Sequence, residues 1–213
     1  MLYIFDWDGT ISDSAKKIVR CMQVAAERAG LEPQSDAAIR NIIGLGMPEA
    51  LQMLYPGLNA EKMESIRLEY SQYFKEEDTV PSPFFAGAME TMETLKAEGH
   101  LLSVATGKSR KGLDRVLERL GLSLFFNASR CADETASKPH PLMLHEILDE
   151  LQVDVSEAVM IGDTEYDMAM ARTAGMQRIA VSYGAHHIDR LQVYEPVLCV
   201  DTFPEIANWV GKI

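Results

Sequence analysis

Near the start of the chain, Asp6-Trp7-Asp8-Gly9-Thr10 follows the short apolar run Leu2-Tyr3-Ile4-Phe5. Two carboxylates two positions apart in extended chain point the same way. Such a pair attracts a hard divalent cation, Mg²⁺ or Mn²⁺ rather than a soft-ligand metal. It also offers a carboxylate nucleophile beside an acid–base group. A plain Asp-Gly turn is the alternative. Thr106-Gly107-Lys108-Ser109 follows a second apolar run. A hydroxyl and a glycine at a helix start hold a phosphate through the side chain and free N–H groups, or the hydroxyl simply caps the helix. Lys138-Pro139 offers a point charge that neutralises phosphate, or a solvated surface lysine. Gly162-Asp163-Thr164-Glu165-Tyr166-Asp167 ends a further apolar run. Acids four residues apart at a helix start face one site, or merely sit at the positive end of the helix dipole.

These residues need elements to place them. Besides residues 2–5, apolar runs of strand length occupy 101–105, 158–161, 178–181 and 197–200. Continuous runs of this kind suit strands buried on both faces of a parallel sheet. Helical periodicity lies between them. Leu113, Val116, Leu117 and Leu120 repeat at helical spacing before Gly121. Leu144, Ile147, Leu148 and Leu151 do so after Pro141. Residues 164–174 read as a helix closed by Gly175, and 88–95 as another before Gly99. Strands alternating with helices predict a doubly wound α/β domain, whose ligands bind at the carboxyl ends of the strands.

The first crossover is too long for a single helix. No strand pattern is visible from Asp13 to about Phe84. Amphipathic spacing predicts helices around 18–29, 37–43, 48–54 and 61–74. Val80-Pro81-Ser82-Pro83 then reads as a return linker. The expected division is an α/β core of residues 1–13 and 84–213 with an all-helical insert of residues 14–83. Met22, Met47, Met53 and Met63 of the insert read as core filling.

Composition narrows the function classes. The 213 residues carry 20 Lys plus Arg against 32 Asp plus Glu, a net charge of -12, with 47% hydrophobic residues. That is ordinary globular composition. A chain so acidic repels polyanions, so nucleic acid and anionic membranes are excluded as expected partners. A small phosphate ester is not. Cys21, Cys131 and Cys199 show no metal or disulfide spacing and read as idle thiols. The five histidines read as structural or solvated. No apolar run reaches membrane-spanning length, and the acids at positions 6 and 8 are unlike a secretory leader, so a cytoplasmic location is expected.

The ordered series DxDGT, helical insert, Thr after the second run, Lys-Pro and GDxxxD resembles the haloacid dehalogenase-like hydrolases over essentially the whole chain. The insert between the first two motifs resembles the cap of the subfamily containing phosphoglycolate phosphatase and β-phosphoglucomutase. The resemblance implies a parallel α/β core with a small helical cap, and a Mg²⁺-dependent phosphatase of a small phosphorylated metabolite. It implies that Asp6 is nucleophile and metal ligand, and that Asp8 is the acid–base and gives its carbonyl to the metal. Thr106, Gly107 and the Trp7 and Asp8 N–H groups hold phosphate. Lys138 balances charge, Asp163 ligates the metal, and Asp167 supports the metal site or orients Lys138. Asp8 disfavours the dehalogenase and phosphonatase branches, which lack that acid. A phosphomutase and a non-catalytic phosphate-binding module remain alternatives, and monomer and dimer both stay open. Ile43-Gly44-Leu45-Gly46-Met47 resembles the cap loop that approaches the active site, and Arg40 beside it is a candidate contact for an anionic substrate tail. One residue departs from the pattern: the family usually has Asn or a similar residue where Gly107 stands. Lys108 next to it is either a further phosphate contact or a solvated lysine.

Overall fold

The computed structural model describes residues 1–77 and 80–209. Residues 78–79 of the expected insert and 210–213 at the end of the expected core lie outside the described residues. Strands β1 (Leu2–Phe5), β2 (Leu101–Thr106), β3 (Ala128–Cys131), β4 (Ala158–Gly162), β5 (Gln177–Val181) and β6 (Leu198–Val200) form one sheet in the order β3-β2-β1-β4-β5-β6. Every pairing is parallel. β1 lies between β2 and β4, where the strand order reverses. The carboxyl ends of these three strands therefore open onto one crevice.

Alternation along β1 divides the core. Tyr3 and Phe5 face a cluster with Leu102, Val104, Leu113, Leu117 and Phe203. Leu2 and Ile4 face the opposite cluster, with Met143, Leu144, Ile147, Met160 and Met170. All four β1 residues and all five of β4 are buried, as expected of strands covered on both faces. The covering helices are α5 (Ala88–Ala97), α6 (Arg110–Leu120), α7 (Leu142–Leu151), α8 (Glu165–Thr173) and α9 (Ile188–Gln192). β3 and α9 were not foreseen. β3 is an edge strand of sequence Ala-Ser-Arg-Cys, with only its end residues buried, so it lacks the apolar run that marks the inner strands.

Between β1 and α5 the described residues form α1 (Ala15–Arg28), α2 (Asp36–Arg40), α3 (Met47–Leu54) and α4 (Ala60–Glu77), and no strand. They enclose their own cluster around Val19, Met22, Ile39, Leu51, Leu54 and Ile66. Met22 is buried there, but Met53 is 49% exposed, so the expected core role does not extend to it. The outgoing and returning connections run side by side, with Asp13 N–H donating to the Pro83 carbonyl (2.9 Å) and Phe85 N–H to that of Ile11 (3.0 Å).

If the α7 face is the main cover on its side of the sheet, truncating its fully buried centre leaves a cavity the sheet cannot collapse into. Ile147→Ala should lower unfolding stability by about 2–5 kcal/mol, measured by urea denaturation. A loss below about 1 kcal/mol contradicts this packing.

Candidate active site

Asp6 is the first residue past β1, and its side chain meets Lys138, which arrives on the loop after β3. Lys138 Nζ stands 2.5 Å from Asp6 Oδ1 and 2.7 Å from Asp167 Oδ1. All three side chains are buried, at most 1% exposed. Asp163, just past β4, joins them. Oxygens of Asp6, Asp163 and Asp167 lie within 4.8 Å of one another. Asp163 Oδ1 accepts from Thr10 Oγ1 (3.0 Å) and its Oδ2 from the Ala185 N–H (2.7 Å). Asp167 spends Oδ2 on the first turn of α8, accepting from the Thr164 N–H (3.1 Å) and hydroxyl (2.7 Å) in a capping box. Asp6 Oδ2 has no hydrogen-bond partner.

The charges in this cluster do not cancel. Three carboxylates share one ammonium, and uncompensated charge away from water is expensive. Burial raises the Asp6 carboxyl well above the ordinary carboxylate range; Lys138 opposes that shift, and Asp167 and Asp163 add to it. Burial, reinforced by Asp167, pushes Asp163 up to about 7 against the pull of its Ala185 and Thr10 hydrogen bonds. Burial disfavours the Lys138 charge, but Asp167 and Asp6 more than offset it, so its affinity for the proton rises. A divalent cation fits this arrangement. It matches the surplus negative charge, and the donors are all hard oxygens.

Gly9 makes the approach of β1 and β4 residues possible. Its φ is +91°, and a Cβ there would stand 2.1 Å from Asp163 Oδ2. Past the turn after Asp6, both acids of the first motif line one cavity. β1 ends at Phe5 and the chain bends at Trp7. Asp8 consequently faces Ser14 Oγ, which donates to its Oδ1 at 2.6 Å, and Lys108 Nζ, 2.8 Å from its Oδ2. The Asp8 side chain is outside the three-carboxylate cluster. Trp7 is buried edge-on against Phe84 and Phe126, anchoring this turn to the returning connection.

Thr106 is the buried last residue of β2, and its Oγ1 accepts from the Lys108 N–H (3.2 Å). Ser109, not Thr106, caps α6. The loop backbone hydrogen bonds use none of the Trp7, Asp8 and Gly107 N–H groups. Gly107 has a steric reason of its own: a Cβ there would stand 2.5 Å from the Leu45 carbonyl oxygen and 2.6 Å from that of Gly44. The 43–47 loop therefore sits directly on the second motif. Ser137 Oγ accepts from the Gly46 N–H at 2.8 Å. Tyr166 Oη (2.7 Å) and His186 Nε2 (3.2 Å) meet the Asn41 carbonyl, and Arg190 donates to Asn41 Oδ1 (2.8 Å). Because His186 Nδ1 accepts from the Glu165 N–H (3.2 Å), its proton is on Nε2.

Below the loop lies a cavity of about 360 Å³, with Asp6, Asp8, Thr106 and Gly107 among its lining residues. Arg40 does not line it. Of the residues the sequence left without a role, Thr10 and Ser14 lie in or just after the first motif; Thr10 orients Asp163 and Ser14 orients Asp8. Lys108 is an ion-pair partner rather than a solvated lysine. Ala185 carried no sequence signal.

Comparison with known proteins follows this geometry. Residues 3–181 match the model of the haloacid dehalogenase-like hydrolases. The chain belongs to that family. Over 211 residues it is 35% identical to "Probable phosphatase IndB" of Dickeya dadantii, covering 97% of this chain and 92% of that one. A phosphoglycolate phosphatase of Agrobacterium fabrum is 28% identical over 211 residues, covering 97% and 90%. A hydrolase of solved structure from Pseudomonas syringae superposes with a TM-score of 0.87 at 22% identity, covering 97% and 95%, a likeness of fold. Among the described residues no helix is long and apolar enough to cross a membrane. The chain is thus an enzyme of the haloacid dehalogenase-like hydrolases, with an acidic cluster suited to a cation at the family's motif positions.

Two outcomes are expected of this site. With its folded value near 7 and its unfolded value near 3.8, Asp163 binds more protons folded than unfolded between those pH values. In EDTA its contribution to stability is therefore full below about pH 4 and is lost as pH rises through about 7. Mg²⁺ should raise the melting temperature more at pH 8 than at pH 5; an equal shift contradicts the cluster as its site. Gly107→Asn should displace the 43–47 loop and lower kcat/KM by about tenfold or more while leaving the melting temperature within a few degrees. Unchanged kinetics would contradict the contact.

Proposed function

We propose that the chain is a Mg²⁺-dependent phosphatase that hydrolyses a small phosphate monoester through an aspartyl-phosphate on Asp6. The observation that carries this reading is the buried Asp6 carboxylate, held by Lys138 through Oδ1 and free of protein donors at Oδ2. A nucleophile needs one oxygen fixed and one available, and an in-line attack on phosphorus asks the protein mainly for position and electrostatics.

In this reading Asp6 attacks phosphorus with Oδ2. Thr106 and the N–H groups of Trp7, Asp8 and Gly107 take the non-bridging oxygens, whose charge they stabilise as it develops. Lys138 offsets the charge of Asp6 as the dianion approaches. Asp8 protonates the leaving oxygen and then takes a proton from the water that opens the aspartyl-phosphate. Ser14 and Lys108 fix the orientation in which it does so. Asp6, Asp163 and the Asp8 carbonyl would hold Mg²⁺, with Asp167 in support, and the ion supplies the charge that lets an anionic ester come near carboxylates.

Helices α1–α4 and the 43–47 loop act as a cap on the core of residues 1–13 and 84–213. The paired connections at 11–13 and 83–85 serve as its hinge. The substrate is a phosphoglycolate-, sugar- or nucleotide-monophosphate-like ester, and of these the names of the relatives speak only for phosphoglycolate. Among the enzymes so related, "phosphoglycolate phosphatase" is a frequent name.

The expected result with a panel of phosphomonoesters is release of inorganic phosphate in Mg²⁺, loss of release in EDTA, and at least about a thousandfold loss in Asp6→Asn, the scale of removing a catalytic group. Release by Asp6→Asn at the wild-type rate would end the nucleophile assignment. An isomerised ester with no free phosphate would point to mutase chemistry.

A further inference from the structure

The cavity is larger than a phosphate site, and most of its lining surface is apolar. At about 360 Å³ it falls within the size range of pockets that take whole drug-sized ligands, about 300–1,000 Å³. Phosphate recognition uses only the floor at Asp6, Thr106 and Gly107. Two helices contribute side chains to its lining. α4 turns Arg67, Tyr70, Ser71 and Phe74 into the space, positions that share one helical face. α6 turns Gly112, Arg115 and Val116 toward it. The Tyr70 and Phe74 rings lie 5.7 Å apart, and Lys108 Nζ is 5.1 Å from the centre of the Phe74 ring.

The cations around this space are already engaged, with one exception. Lys108 pairs with Asp8. Lys17 lies over the outer ring of Phe74 at 4.7 Å. Arg67 is held by Glu64 on its own helix. Nearby Arg110 is bound by Glu134, Asp114 and Ser129. Arg115 is half-buried in the cavity wall and has no ion pair or side-chain hydrogen bond among the described residues. In a chain with twelve surplus negative charges, an arginine that lines a cavity without an acidic partner is a receptor for something that enters it. Its planar fork suits a carboxylate or a comparable two-oxygen acceptor edge.

We infer that Arg115 is a specificity residue, and that the ester taken by this site has a ring-sized carbon body with a hydrogen-bond-accepting edge, carboxylate in its strongest form, remote from its phosphate. This rests on the phosphatase reading and names the substrate class within it. The body packs between the Tyr70–Phe74 face of α4 and Val116 of α6. The acceptor edge meets the Arg115 guanidinium. A two-carbon ester reaches the floor but leaves these walls and Arg115 unused.

The test uses a matched pair, phenyl phosphate and 4-carboxyphenyl phosphate, with phosphoglycolate as the ester that has a carboxylate and no ring. Phosphate release is measured on wild type, Arg115→Ala and Arg115→Gln in Mg²⁺. Equilibrium binding of the same esters is measured calorimetrically with Asp6→Asn, alone and combined with each Arg115 substitution. The expected result is a preference of about tenfold or more for 4-carboxyphenyl phosphate over both other esters, in kcat/KM and in affinity, the scale of one charge-assisted pair. The preference over phenyl phosphate should vanish in both Arg115 variants, through KM rather than kcat. Equal handling of the two phenyl esters by wild type, a preference that survives in Arg115→Ala, or a preference for phosphoglycolate overturns the inference. Absence of phosphate release from every ester instead overturns the phosphatase reading, and the binding comparison then decides the role of Arg115 by itself.

Discussion

One buried ammonium among three buried carboxylates sets the terms for the rest of this molecule. Lys138 touches Asp6 and Asp167 at once, while Asp163 satisfies itself on Thr10 and the Ala185 backbone. Asp6 follows β1, Asp163 follows β4, and Asp167 lies in the first turn of the helix that comes after. β1 and β4 must be adjacent and parallel for Asp6 and Asp163 to meet. The β3 loop must return across β2 to deliver Lys138. Asp167 must sit in the first turn of α8, where the capping box takes its second oxygen. The cluster remains short of positive charge even so. In the proposed reading that deficit makes a divalent cation and an anionic ester a complementary pair of visitors rather than competitors.

The helical layer answers to the same cluster. Ser137, the residue before Lys138, accepts from the Gly46 N–H, so the loop that covers the cavity is tied to the chain segment that carries the buried lysine. Asn41 is held from the other side by Tyr166, His186 and Arg190. Gly107 leaves the space in which the loop carbonyls rest on the second motif. The departure from the family's usual residue at 107 is thus the counterpart of a close backbone approach, not a lost contact. Orientation of Asp8 by Ser14 and Lys108 belongs to this region too, because Ser14 begins the connection into α1.

Much of this was legible before any coordinates. The apolar runs marked β1, β2, β4 and β5 because strands covered on both faces need no polar alternation, and β6, an edge strand with Cys199 exposed, was marked by the apolar residues of its run alone. Residues that end those runs became the site because a parallel sheet collects its carboxyl ends on one side. What escaped had physical causes. β3 is an edge strand with Ser129 and Arg130 at its centre, so its pattern resembles a loop. Lys108 was read as a further phosphate contact or a solvated lysine, not as the partner of Asp8, because Asp8 lies a hundred positions away in the sequence. The anchors on Asn41 come from α8, α9 and the segment between them, and no local pattern announces a contact over such separations. Arg115 was invisible for the opposite reason: its distinction is the lack of a partner, which only packing reveals.

The central claim is that Asp6 itself takes the phosphoryl group, with Lys138 steadying one oxygen and leaving the other free. Rapid acid quench of wild type turning over an ester in Mg²⁺, followed by peptide mass analysis, tests it most directly. The expected result is a phosphate on the peptide that carries Asp6, seen during turnover and gone once the ester is exhausted. Phosphate on a different residue, or turnover with no phosphoenzyme at the shortest quench times while phosphate accumulates, would contradict the account.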